Sequence, residues 1–275
     1  MMRSVALLAG LLLAVPLSCR AEIAVTLPPL AGLVAMLDKS SENFCLLSAG
    51  ADPHHFQISP RRAEQLKQAE LLIRAPGTDA GWPLPPDNAQ TLRLWPQQNH
   101  AWLVPGEVAK ALPQIAATLI ALHPGREAEI RRQLAAALAT VRDIDVRWQQ
   151  ALAPLRSRGV IMQHPAWQPL LEAAGVPVLA VLESPLHGHE EGPHVLEKAL
   201  AILKTHPDAW LIGDIRHSNR SLEWLARHAD HPVRLVYLDA LGDCGTGWEA
   251  LMQDNLDKMS GDKPSTDKLP APVKP

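Results

Sequence analysis

From Ile23 onward, short apolar runs alternate with longer amphipathic stretches. "IAVTL" (23–27) reads as a strand and passes through Pro28-Pro29 into the apolar helix "LAGLVAML". "FCLLSAG" (44–50) reads as a second buried strand ended by glycine. "SPRRAEQLKQAE" opens with Ser-Pro, a helix start with proline in the first turn. "LLIRAPG" is a short apolar run stopped by Pro-Gly, hence a third strand. Strand, helix, strand, helix, strand is an α/β unit with a mostly parallel sheet. Residues 81–99, "GWPLPPDNAQTLRLWPQQN", are proline-rich and read as a long surface connection, and from Gly106 the pattern turns helical.

Gly125 to Leu155 holds about thirty residues with no proline before Pro154. Ile130, Leu134, Leu138, Val141, Val146 and Leu152 make a stripe of helical period. Such a helix is ~45 Å long, enough to run the length of a small domain. Beyond it the alternation resumes: strands at "GVIMQH", "VPVLAVL", "AWLIGD" and "VRLVYLD", helices at "AWQPLLEAAG", "VLEKALAILKTH" and "SLEWLARHA", and a closing helix at "GWEALMQDNLDKM". The expected fold is α/β: two lobes, each a mostly parallel sheet flanked by helices, joined by one long rigid backbone helix. The predicted boundaries are a leader at 1–21, an N-terminal lobe at 22–124, the connecting helix at 125–155, a C-terminal lobe at 156–259 and a Lys/Pro-rich disordered tail at 260–275.

Composition narrows the class. Of 275 residues, 47% are hydrophobic, so a substantial core is available, and a net charge of -3 argues against a nucleic-acid partner. "MMRSVALLAGLLLAVPLSCRA" has one Arg, an apolar run from Val5 to Leu17 and then small residues, the layout of a secretory signal cleaved after Ala21. Attachment of lipid through Cys19 is a poorer fit, because Pro16 and Leu17 match a lipobox badly. No later segment reaches the ~18 apolar residues of a membrane span, so no stable membrane insertion is expected after cleavage. Cys45 and Cys244 remain. Export permits a disulfide between them, but two buried thiols fit the sequence equally well.

Twelve histidines, roughly twice an ordinary share, supply the candidate chemistry. Parallel α/β sheets bind ligands beyond the carboxyl ends of their strands. His54 follows the second strand in "GADPHHFQISP", His164 ends "GVIMQH", Asp239 ends "VRLVYLD", and His100 stands in "QQNHAWLVP". Singly, each histidine reads as an ordinary surface residue, and Asp239 as a turn cap. Together at one edge, three imidazoles and a carboxylate are a sensible shell for a divalent transition metal, with zinc favoured. Asp52-Pro53 stiffens the backbone before His54, which preorganises that donor.

These segments, with "VTLPPLAGLVAML", "HPAWQPLLEAAGV" and "LDALG…GWEALMQDNLDKM", resemble the solute-binding proteins of ABC importers for zinc and manganese, over Ile23 to Met259. The resemblance implies a monomeric periplasmic receptor. It would bind Zn²⁺, or less favourably Mn²⁺, through His54, His100, His164 and Asp239, and deliver the ion unchanged to an ABC membrane permease. There are departures. His55 stands where the family has an acid and is a secondary ligand candidate. Ala240 replaces a proline after Asp239, and no His-rich insert precedes Asn99. The second lobe instead carries "LHGHEEGPH", whose His187, His189 and His194 are candidates for weak auxiliary binding, with a solvated loop as the simpler reading. Two other functions remain open: a periplasmic zinc chaperone or buffer without a permease, and an exported zinc hydrolase. The hydrolase is disfavoured because "HEEGPH" has the wrong spacing and a Gly-Pro where HExxH needs a helix. Cu²⁺ also suits such donors.

Overall fold

This computed structural model describes residues 22–53, 56–86, 90–183 and 193–261; the predicted signal and all of the predicted tail beyond Gly261 lie outside them, and Ser260, assigned to the tail from sequence, closes the last helix. Strands β1 (Glu22–Val25), β2 (Glu42–Cys45), β3 (Leu71–Arg74) and β4 (Thr91–Arg93) form one sheet in the order β2-β1-β3-β4. Strands β5 (Val160–Met162), β6 (Val178–Val181), β7 (Trp210–Asp214) and β8 (Leu235–Leu238) form another in the order β6-β5-β7-β8. Every pairing is parallel, and the two lobes repeat one topology. β4 lies inside the stretch expected to be a plain connection. Three residues between prolines carry too little periodicity to announce a strand, and pairing with Leu72–Arg74 supplies what local propensity lacks.

The helices are α1 (Pro28–Leu37), α2 (Pro60–Gln68), α3 (Pro76–Asp79), α4 (Pro105–Leu122), α5 (Glu127–Leu152), α6 (Gln168–Ala173), α7 (Pro193–Thr205), α8 (Arg220–His228) and α9 (Trp248–Ser260). Ser59 caps α2, its hydroxyl accepting from the Arg62 N–H at 3.3 Å, with Pro60 in the first turn. The expected connector is α5, 26 residues long with a 3₁₀ turn at each end. It spans about 39 Å and packs along α4, α1 and α9. Its buried seam is Ile130, Ala137, Val141, Ile144, Trp148 and Leu152. Val146, placed in the stripe from sequence, faces solvent at 49% exposure. Ile144 and Trp148 fit the 3.6-residue period on the buried face, and Val146 falls between them. Among the described residues no helix is long and apolar enough to cross a membrane.

Hydrophobic packing does not stop at the lobe boundary. A single core runs from β1 to Met259, and a smaller one, including Ile161, Leu203, Leu211 and Leu222, lies under α7 and α8. Four contacts fix the seam. Gly32 of α1 abuts α9 so closely that a Cβ would sit 2.4 Å from the Trp248 backbone nitrogen. The indole N–H of Trp102 donates to the Ala240 carbonyl at 2.7 Å, and that of Trp248 donates to the Trp102 carbonyl at 2.7 Å. Cys45 and Cys244 are joined as a disulfide, which decides between the two readings of these residues. It ties the end of β2 to the β8–α9 loop across 199 residues.

At the opposite end, Asp38 closes α1. Its Oδ1 accepts from the Ser40 and Ser41 N–H groups at 2.8 and 3.1 Å, and its Oδ2 accepts from Arg126 at the start of α5. Burial opposes the carboxylate, but the Arg126 guanidinium and the serine donors outweigh it and hold its pKa well below the usual range. This depressed group should stabilise the fold fully above the unfolded value of ~3.9 and lose that contribution as pH falls further. Asp38→Asn should cost about 1–3 kcal/mol in denaturant unfolding at pH 7 and flatten the acid limb of the stability curve. Reducing the disulfide, or replacing both cysteines with serine, should cost about 2–5 kcal/mol in the same measurement.

Candidate metal centre

The carboxyl ends of β5, β6 and β7 converge at the point where the strand order reverses, the place at which open α/β sheets take ligands. His164 follows β5. Pro165 starts the turn after it, and Trp167 of that turn stacks on Trp148 of α5 with ring centroids 5.3 Å apart. Glu183 follows β6. The turn after β7, "DIRHSN", is folded around Asn219, whose amide donates to the carbonyls of Asp214 (2.7 Å) and His217 (3.0 Å) while its oxygen accepts from the Asp214 N–H (3.1 Å). Gly213 permits this, since a Cβ there would lie 2.5 Å from the Asn219 oxygen. Folded so, the turn sends His217 to Glu183 and Arg216 to Asp239.

His164, Glu183 and His217 offer ligand atoms all within 4.8 Å of one another. Nδ1 of His164 lies 3.2 Å, and Nδ1 of His217 3.5 Å, from the same oxygen, Oε2 of Glu183. The two rings stack with centroids 4.0 Å apart and planes 12° from parallel. Burial opposes the Glu183 charge, yet hydrogen bonds and charge from the two imidazoles pull its pKa down to about 2. Burial likewise opposes the His217 cation, but Glu183, Asp214 and Asp52 outweigh it and hold that pKa above the ordinary value. Burial raises Asp214 itself.

His100 reaches this cluster from the first lobe. Its ring centroid is 5.5 Å from that of His164, edge to face. Its backbone is left-handed (φ 53°, ψ 24°), a conformation that costs about 1–2 kcal/mol outside glycine. The turn Ala101–Leu103, anchored by buried Trp102, holds it there. A groove of about 560 Å³ is lined by His100 and His164 together with Glu107 and Glu172.

His54 and His55 lie outside the described residues, but their neighbours Pro53 and Phe56 are both held. The Trp82 indole N–H donates to the Pro53 carbonyl at 2.9 Å, and the Phe56 ring stacks on Trp82 at 3.8 Å. The proline-rich segment thus holds the residues on either side of the two histidines. His187 and His189 also lie outside the described residues, and His194 is exposed in the first turn of α7.

Asp239 is engaged elsewhere. Its Oδ1 accepts from Arg216 Nε (2.9 Å) and from the Leu241 and Gly242 N–H groups (3.0 Å each), and its Oδ2 accepts from Arg216 Nη2 (3.1 Å). Burial would raise its pKa, but Arg216 and those amides lower it. The structure therefore gathers His100 and His164, pairs Asp239 with a cation, and adds Glu183 and His217. Both additions were missed from sequence, although both sit just past a strand end in "VLES" and "GDIRH", where the same strand-end rule applies.

A family model described as zinc-uptake complex component A, periplasmic, matches residues 77–261. Among solved structures, one of ZnuA shares 22% identity at a TM-score of 0.73, covering 88% of this chain and 100% of its own. FpvC from P. aeruginosa in complex with Ni²⁺ shares 24% at 0.67, covering 87% and 95%. A Cd-bound periplasmic metal-binding protein from Candidatus Liberibacter asiaticus shares 14% at 0.74, covering 87% and 98%. At these identities the likeness to each structure is one of fold. No curated protein matches the chain.

The raised His217 gives a direct check. Its ring should titrate above ~6.5 by NMR in the metal-free protein, and Glu183→Gln should bring it down. Because its folded value is the higher one, the contact stabilises the fold below ~6.5 and loses that effect as pH rises through the folded value.

Proposed function

This chain belongs to the family of periplasmic zinc-uptake complex component A, and we propose that it captures one divalent transition-metal ion, Zn²⁺ foremost, between its lobes and hands it unchanged to an ABC membrane permease. One observation carries the reading: a buried imidazole–carboxylate cluster at the strand-order switch of one lobe faces a conformationally constrained histidine of the other. His100 and His164 are the proposed ligands that the structure describes. His54 is a further proposed ligand and His55 a secondary one, and Asp239 joins only if Arg216 releases it. Imidazole-rich donors favour Zn²⁺ over the harder Mn²⁺. A deletion that impairs zinc uptake through an importer supports delivery, whereas one that changes only periplasmic zinc retention supports a buffer.

The protein acts as a monomer, and its lobes move little on loading. The continuous core, the Gly32–Trp248 approach and the Cys45–Cys244 bridge all oppose a hinge. Scattering profiles of metal-free and loaded protein should superimpose, and a large closure contradicts this. Titration of tag-free protein should give one tight zinc site. His100→Ala and His164→Ala should each weaken it beyond the ~10–100-fold that loss of an outer partner costs. Binding should also fall as pH drops below ~6.5, where protons compete for imidazole. Variants that bind zinc like the parent would end the proposal.

A further inference from the structure

We propose that the second lobe binds the ion through His164 and His217, both positioned by Glu183, while Arg216 withholds Asp239 from it. This rests on the metal-receptor reading above and assigns its donors.

Asp239 has little left to give. Oδ1 already accepts three donors and Oδ2 meets the guanidinium, so both oxygens are engaged by one two-point pair. Arg216 is held in turn by the Gly242 carbonyl at 2.6 Å and by Asp243 at 3.3 Å. Side-chain exposures of 10% and 16% keep water from weakening the pair. An ion reaching for Asp239 would have to break a planar charge-assisted contact and strip the β8–α9 loop of its acceptor.

Glu183 is arranged differently. One of its oxygens faces the Nδ1 atoms of two stacked imidazoles. A metal-bound histidine commonly gives its second ring N–H to a carboxylate, which fixes the tautomer and aims the other nitrogen. An imidazole that donates Nδ1–H to Glu183 carries its lone pair on Nε2. Two such rings, nearly parallel on one carboxylate oxygen, form a paired nitrogen donor. Glu183 is thus a positioning residue and His217 a ligand. Arg216 and His217 are adjacent in sequence, so the Asn219-bound turn performs both tasks: it supplies an imidazole and removes a carboxylate.

The consequence is selectivity. With nitrogen donors inside and the carboxylate one layer out, the centre suits Zn²⁺, Ni²⁺ or Cu²⁺ and disfavours Mn²⁺. Arg216 is then a specificity-determining residue that never touches the ion.

The test titrates the full mature chain with zinc and with manganese and records X-ray absorption of the zinc-loaded form. His217→Ala should weaken zinc binding at least as much as the ~10–100-fold expected for Glu183→Gln, and should remove one imidazole from the absorption fit. Asp239→Asn should stay within about threefold of the parent, about 0.65 kcal/mol. Arg216→Gln should keep zinc binding and gain about tenfold or more for manganese. Should Asp239→Asn unfold, the absorption spectrum of the parent decides by itself, since a directly bound carboxylate lowers the nitrogen count. Zinc binding that depends on Asp239 and ignores His217 overturns the assignment, and no manganese gain in Arg216→Gln overturns the role of the arginine. A parent protein indifferent to every divalent ion overturns the receptor reading instead.

Discussion

Metal–nitrogen bonds of about 2.0–2.1 Å leave almost no slack. A centre whose donors come from two lobes therefore demands that the lobes keep their spacing to within tenths of an ångström. Much of this structure answers that demand. α5 sets the separation, with Asp38 and Arg126 closing its start and Trp148 reaching the turn behind His164. Trp102, Trp248 and the Cys45–Cys244 bridge lock the rim nearest the site. Trp102 stands two residues from His100, so the side chain that joins the lobes also sets one of the candidate donors.

Electrostatics imposes a second condition. A buried carboxylate needs compensating charge nearby, and the two acids here meet that need in different ways. Asp239 has a permanent cation in Arg216. Glu183 has two imidazoles, each of which can take a second proton or a metal at its other nitrogen but not both at once. The first arrangement is closed and the second is exchangeable, which is the physical distinction between an ion pair that shapes a loop and a cluster suited to cargo.

The architecture was largely legible in the sequence. Strand–helix alternation, glycine and proline stops and one long amphipathic run give two parallel sheets and a connector. The same pattern hid β4, whose three residues are strand only because β3 lies alongside. It also put Val146 on the wrong face, because a stripe counted loosely tolerates a residue that the true period excludes. The strand-end rule named His164 but was not carried on to Glu183 and His217, which the structure places beside it. Asp239 was named by the same rule, but its partner lies beyond what that rule can see. Nothing local to "YLDALG" reveals an arginine 23 positions upstream that folds back to occupy the carboxylate.

The two sheets share one strand order, so each crevice position on one half has a counterpart on the other. The place that His164 takes after β5 belongs, after β1, to Leu27, a fully buried aliphatic residue. The first half offers its histidine from beyond β4, an outer strand, while the second offers its cluster from β5 and its neighbours. A duplicated scaffold is thus used unequally. At its centre one half presents an aliphatic wall and the other an imidazole, so any ligand of this crevice meets two chemically different faces.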